Sequence, residues 1–366
     1  MSNEEVSVLL VGAGGYAKNY IGWLSDEKRN AKIVGIVDPV KEEVPVPQLW
    51  FPSIEAFYEN NHADLAIIST PIYLHKDHTL VALSHGSNVL CEKPIAGCLE
   101  DALEMSAAAK KYDRFLAIGF QLSYHPAIHR VKKDIQAGVW GKPTKLKTMV
   151  LWPRGIKYYK SRNWSGKQTI NGRKVMDSIA HNAMAHYLHN MLFVLGDKLN
   201  TTADFTKVNS SLYRLNDIET FDTCEIEIET ADNARLALFA SHTTKNTLNP
   251  IFEYQFENGI IRGGTGENII GTLNSGETID YGSFDVIAGA SLDTVLPACI
   301  DKNIVIPCTV ETAMTHMRVM EEVNKNISQA KKFAKEEIET AYNDLRGDFY
   351  YIPWLEEKLH EAYLNY

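Results

Sequence analysis

The sequence predicts an α/β chain of two domains. The first, over residues 1–122, is a doubly wound parallel sheet. The second, over 123–366, is a larger α/β unit with a mostly antiparallel open sheet. Three observations carry this. The chain opens with an apolar strand that runs into a glycine turn and a helix. Apolar strands and helical segments then alternate to about residue 119, the pattern of a parallel sheet. Past residue 220, short strands are separated by turns at Asp232-Asn233, Asn258-Gly259 and Asn274-Ser275-Gly276, which make antiparallel hairpins. At 366 residues the chain also exceeds what one hydrophobic core usually holds.

Ser7 to Val11 is a continuous apolar run, as a strand buried on both faces requires. It ends in Gly12-Ala13-Gly14-Gly15-Tyr16-Ala17, a G-x-G-x-x-A turn that lets a pyrophosphate approach the backbone and the next helix pack close to the strand. The helix after it aims free N–H groups at that phosphate. A second strand, Lys32 to Val37, ends on Asp38, 21 residues past Ala17, where a carboxylate meets the adenosine ribose hydroxyls. That carboxylate repels a 2′-phosphate and no arginine follows it, so NAD is favoured over NADP. The third strand, Ala63 to Ser69, leads into Thr70-Pro71. His75 and His78 open the next helix, as caps, as surface residues or as cofactor contacts. The fourth strand, Asn88 to Leu90, leads into Cys91-Glu92-Lys93-Pro94, where the proline holds Lys93 in extended geometry. Arg114 to Gly119 is the fifth strand and is followed by Gln121. Ligands sit outside the carboxyl ends of such strands, at the switch point of the sheet. Gly12, Asp38, Thr70, Lys93 and Gln121 share that edge, and the glycine loop and Lys93 are expected to flank the switch point.

In the second domain Lys145 to Trp152 reads as a strand. The loop after it holds Arg154, Lys157, Tyr158, Tyr159, Arg162 and Trp164, groups that stack on or hydrogen-bond to a polar ring, and that equally suit an interface or a solvated lid. A helix expected over 177–195 puts Asp177, His181, Met184, Leu188, Met191 and Leu195 on one stripe. Asp177 would orient the His181 ring for acid–base work. The competing reading is an N-cap aspartate with a core histidine. His186 and His189 lie on another stripe, open to a substrate or a second subunit. A helix over 309–326 follows the strands, and a tail ends in a docked helix marked by Leu355, Leu359 and Tyr363.

These residues resemble the glucose-fructose oxidoreductase / inositol dehydrogenase / rhizopine-catabolism (Gfo/Idh/MocA) family. The resemblance runs through Gly12 to Ala17, Thr70-Pro71 with His75, Gly86 to Pro94, Gly119-Phe120-Gln121 with Pro126, Gly138 with Gly141-Lys142, and Asp177 with His181. It implies an N-terminal Rossmann domain and a substrate held between the domains beside the nicotinamide. It maps the catalytic set onto Lys93, Asp177 and His181. Cofactor contacts are expected at Gly12, Gly14, Gly15, Tyr16, Ala17, Asp38, Thr70, Pro71, His75, Glu92, Lys93 and Gln121. Substrate contacts are expected at Tyr124, Arg154, Trp164 and His186. Where many relatives carry an arginine after the Gly-Phe pair and an aspartate after the histidine, this chain has Leu122-Ser123-Tyr124 and Met184. Those departures leave the substrate open.

A net charge of −9 gives no basic footprint for nucleic acid. No apolar run approaches the roughly 20 residues that span a bilayer, and Met1 to Glu5 does not read as a leader. Five scattered cysteines fit a reducing cytoplasm and no metal site is expected. The expected function is NAD-dependent hydride transfer at a hydroxyl or keto carbon of a sugar, polyol or inositol. The alternatives are a redox-neutral NAD-dependent glycosidase and a non-catalytic sensor. A homodimer or homotetramer through the second sheet is expected, if its outer face is apolar.

Overall fold

The computed structural model describes residues 5–366. Residues 1–4, on which the reading of the N-terminus rests, lie outside the described residues. The chain divides into two compact units, 1–125 with 287–314, and 126–286 with 315–366. The return of 287–314 to the first unit is absent from a single boundary after residue 122.

The first unit is built on β1 (Val6–Val11), β2 (Ala31–Val37), β3 (Trp50–Phe51), β4 (Leu65–Ile68), β5 (Asn88–Cys91) and β6 (Leu116–Ile118), in the order β3-β2-β1-β4-β5-β6. All of its pairings are parallel. Val8 to Val11 and Leu65 to Ile68 are wholly buried, which is why these strands read as unbroken apolar runs rather than alternations. The strand order corrects one expectation. The neighbour of β1 across the switch point is β4, so the glycine loop faces Thr70, and Lys93 stands one strand further out. The returning segment is fastened in two places. Arg29 pairs with Asp293 at 2.8 Å, at the start of the helix Leu292–Ile300. The N–H of Ile118 donates to the Cys308 carbonyl at 2.9 Å, beside an antiparallel bridge from Ala117 to Thr309.

In the second unit β7 (Pro143–Leu151) is followed by a two-residue pair, β8 (Thr169–Ile170) and β9 (Arg173–Lys174). Then come β10 (Phe205–Arg214), β11 (Thr223–Thr230), β12 (Arg235–Ser241), β13 (Leu248–Phe256), β14 (Gly259–Gly264), β15 (Asn268–Leu273), β16 (Thr278–Ser283) and β17 (Lys331–Lys332). Nine of these form one sheet, in the order β16-β15-β14-β13-β7-β12-β11-β10-β17. It is antiparallel except where β7 meets β12 and β10 meets β17. Sequence reading missed β10, whose Lys207, Asn209 and Ser211 face outward and break the apolar alternation.

A hairpin of β18 (Glu339–Asn343) and β19 (Gly347–Tyr351) leads to the final helix, Leu355–Asn365. Its Leu355, Leu359 and Tyr363 are spaced to fall on one face, and they pack on Met149 and Leu151 of β7 and Ala237 and Phe239 of β12. Lys145 and Lys147 donate to the main-chain oxygens of Tyr366 and Tyr363 at 2.6 and 2.8 Å, completing the free carbonyls of the helix end. The helix Ala185–Val194 also packs on β7 and β12. Apolar residues therefore run unbroken over Leu236 to Ala240 of β12, while β7 is continuously apolar only over Met149 to Leu151. The outer face of β7 and β12, expected to meet a second subunit, carries the chain's own helix. Among the described residues no helix is long and apolar enough to cross a membrane.

Candidate active site

The parallel sheet collects Gly12, Asp38, Thr70, Lys93 and Gln121 on the edge where its strands end. Gly12 has φ +99°, and a Cβ there would stand 2.7 Å from the Ser69 carbonyl oxygen, so only glycine fits. A Cβ on Gly14 would meet no protein atom within 4 Å. Tyr16, at the N-terminus of the helix Ala17–Leu24, supplies no side-chain cap; the Ala17 and Asn19 N–H groups donate to the Gly14 and Tyr16 carbonyls at 3.1 and 3.0 Å. Asp38 Oδ2 accepts the Ala13 N–H and Oδ1 accepts the Val40 N–H, both at 2.9 Å. The acid is thus tied to the glycine loop it is expected to serve. The Tyr16 hydroxyl donates to Gln121 Oε1 at 3.4 Å, bringing together two expected cofactor contacts.

Lys93 sits over a fixed acid. Glu92 accepts the Tyr20 hydroxyl at 2.6 Å and the Lys93 N–H at 3.2 Å. Desolvation raises the Glu92 carboxyl above its usual range, against the pull of Tyr20 and Lys93. The Lys93–Pro94 peptide is cis. His75 is 1% exposed; its Nδ1 lies 2.9 Å from the Pro94 carbonyl oxygen and its Nε2 2.9 Å from that of Thr70. It braces the loop after β4 against the loop after β5, and burial lowers its proton affinity. Pro71 lies in the first of these loops, where Thr70 Oγ1 is 3.2 Å from His78 Nδ1. Tyr124 is buried too, donating its hydroxyl to the carbonyls of Ile118 and Cys308 at 3.1 Å each.

In the second unit the expected helix over 177–195 is divided. Residues Ile179–Ala183 form a π-helical turn, Met184 breaks the spacing, and an α-helix runs Ala185–Val194. A π turn shifts side chains off the 3.6-residue stripe and is frequent at functional sites. Ser178, rather than Asp177, caps the turn, accepting the His181 N–H at 3.2 Å. Asp177 follows Met176, whose φ is +46°, and its carboxylate accepts the Gly166 N–H at 2.7 Å and the Asn182 amide at 2.8 Å. The His181 ring, 1% exposed, lies parallel to that of His316 with centroids 6.0 Å apart. His316 meets His189 edge-on, and burial, with Lys132 nearby, depresses His189 to about 3. His186 stands at the start of the α-helix, its ring edge toward Tyr187. Trp164 lies under Arg162 at 5.3 Å in the loop before Gly166.

Sequence reading missed Trp152, His242 and His316 as neighbours of these groups. Trp152 and His242 come to adjacent strand ends because β7 and β12 pair in parallel and the pairing continues past their ends. The Trp152 N–H reaches the Ser241 carbonyl, and the Arg154 N–H that of His242. Nothing in the local sequence of either strand signals that.

The model of an oxidoreductase family with an NAD-binding Rossmann fold, Gfo/Idh/MocA, matches residues 6–120. This segment belongs to the Gfo/Idh/MocA family. Beyond it, the chain is 28% identical over 193 residues to a 2,7-anhydro-N-acetylneuraminate hydratase of Mediterraneibacter gnavus, covering 51% of this chain and 48% of that protein. It is 26% identical over 188 residues to an inositol 2-dehydrogenase of Corynebacterium glutamicum, covering 49% and 52%. The chain thus spans about half the length of these curated relatives. The WlbA dehydrogenase of Bordetella pertussis, solved with NADH and UDP-GlcNAcA, superposes with a TM-score of 0.74 at 20% identity, covering 89% of this chain and 97% of that one. An Agrobacterium radiobacter oxidoreductase, solved with NAD+, L-tartaric acid and magnesium, gives 0.72 at 18%, covering 88% and 96%. At such identity the likeness is one of fold. The Gfo/Idh/MocA segment fits a dinucleotide on its own geometry, through the Gly12 cradle, the open face of Gly14 and Asp38 at the next strand end.

Proposed function

We propose that this chain is an NAD-dependent oxidoreductase acting at a hydroxyl or keto carbon of a sugar, polyol or inositol-like molecule. The observation that carries the reading is the shared edge of the parallel sheet, where a dinucleotide cradle and Lys93 stand two strands apart with the Thr70 loop between them. Gly12, Gly14, Gly15, Tyr16 and Ala17 hold the pyrophosphate. Asp38 accepts ribose hydroxyls and turns away a 2′-phosphate, which favours NAD over NADP. A bound nicotinamide supplies the hydride acceptor or donor. His181 takes the alcohol proton or returns it, with Asp177 setting its ring, and Lys93 anchors the same oxygen by charge. The named activity of the inositol 2-dehydrogenase relative supports this class of chemistry.

A redox-neutral use of the same groups has one support, the hydratase among the relatives. Purified protein with NAD, screened against sugars, polyols and inositols, separates the two. Net NADH with a matching oxidised product supports the proposal. A converted substrate with no net NADH overturns it in favour of the second reading.

A further inference from the structure

We propose that Arg154 recognises a carboxylate on the substrate, so that the molecule taken is a sugar acid or a related polyhydroxy acid. This rests on the proposal above that His181, in the second unit, acts on the substrate.

The Arg154 guanidinium lies 4.8 Å from the Tyr158 ring centroid and 5.9 Å from that of Trp152. Two aromatic rings therefore flank a partly buried cation. Its Nε has no hydrogen-bond partner, and the guanidinium enters no ion pair among the described residues. A cation drawn this far from water ordinarily has a counter-charge. The two neighbouring acids serve other groups. Asp177 accepts the Gly166 N–H and the Asn182 amide. Asp222, wholly buried, accepts the N–H groups of Leu215 and Asn216 and the Asn216 amide. A second cation, Arg346, lies near enough to feel the charge of Arg154. Its main-chain oxygen lies so close to Gly155 that no Cβ fits between them, and its own guanidinium donates to Thr247. His242, whose carbonyl receives the Arg154 N–H, is kept neutral by burial and by Arg154 itself.

The planar guanidinium fork matches the two coplanar oxygens of a carboxylate. The wall also belongs with the proposed chemistry. The Trp152 ring meets Tyr187 edge-on at 5.9 Å, on the helix that continues the turn bearing His181.

The test uses the full chain with NAD and paired probes, glucuronate against glucose and gluconate against glucitol, with wild type, Arg154→Met and Arg154→Lys. Thermal melting and NADH formation are both read. The expected result is that an acid raises the wild-type melting temperature saturably and its neutral partner does not. Arg154→Met should weaken acid binding ~10- to 100-fold, chiefly in KM. Arg154→Lys should recover only part of the loss, and NADH affinity should stay the same in both. If the acids bind Arg154→Met as tightly as wild type, or if no sugar acid binds at millimolar concentration, the inference is overturned. If acids bind through Arg154 yet no NADH forms, the carboxylate site stands and the hydride-transfer reading falls.

Discussion

A methyl group on Gly12 would stand 2.7 Å from the main-chain oxygen of Ser69, whereas one on Gly14 would touch no protein atom. The two glycines of the same turn should therefore fail differently. Gly12→Ala forces a left-handed backbone and a clash together, and should cost about 1–3 kcal/mol of stability with no cofactor present. Gly14→Ala should leave unfolding within about 0.5 kcal/mol of wild type and weaken NADH binding through loss of close approach. Chemical denaturation and NADH fluorescence titration separate the two. Equal destabilisation by both would count against the cradle as described.

Lys93→Ala and His181→Ala should each lower kcat by ~100- to 10,000-fold, the usual worth of acid–base assistance. NADH affinity should change little, because neither side chain belongs to the pyrophosphate cradle. Full turnover in both variants, measured on whichever substrate forms NADH, would remove the two residues from the chemistry.

Asp38→Ala should lower affinity for NADH roughly tenfold, the worth of a hydrogen bond to a charged group, and narrow the preference over NADPH by a similar factor. The Ala13 and Val40 N–H groups lose their acceptor in this variant, so the ratio of the two affinities is the informative quantity. An unchanged ratio would leave Asp38 as a brace for the loop and nothing more.

His189 should make the protein acid-sensitive. Its folded proton affinity, about 3, lies below that of an unfolded histidine. Protons therefore bind the unfolded chain preferentially, and this contribution to stability is complete above pH ~6.5. It falls by about 1.4 kcal/mol per pH unit as the pH drops from there toward 3. His189→Phe keeps a ring against Phe193, on which His189 stacks at 6.0 Å, and removes the titration. Its unfolding midpoint should decline less steeply between pH 6.5 and 5 than that of wild type. His75 and His242, also lowered by burial, push the same way, so the slope should diminish without vanishing. An identical slope would place the acid sensitivity elsewhere.

Much of the nucleotide half could be read from sequence because its signals are local. The runs at β1 and β4 are apolar because both faces are buried, and Gly12, Asp38 and Lys93 follow strand ends by simple counting. The two-residue β3 carries no such signal. The order of strands across the switch point is a matter of pairing, which residue types leave undetermined. In the second unit the hairpins from β11 to β16 announce themselves by turns, while β10 hides behind outward polar residues. A 3.6-residue count carried Asp177 onto the helix. The Ser178 cap starts the turn at Ile179, so Asp177 lies before it, with its carboxylate on the Gly166 N–H and the Asn182 amide. The two aromatic rings beside Arg154, Trp152 and Tyr158, lie in one short window of sequence, whereas His242 and Arg346 reach it from segments far along the chain.

The helix Leu355–Asn365 seals a wall of Met149, Leu151, Ala237 and Phe239 and is gripped at its last turn by Lys145 and Lys147. A purification tag fused directly after Tyr366 would pull on that grip. Shortening the chain before Leu355 would leave the wall wet and prone to clump.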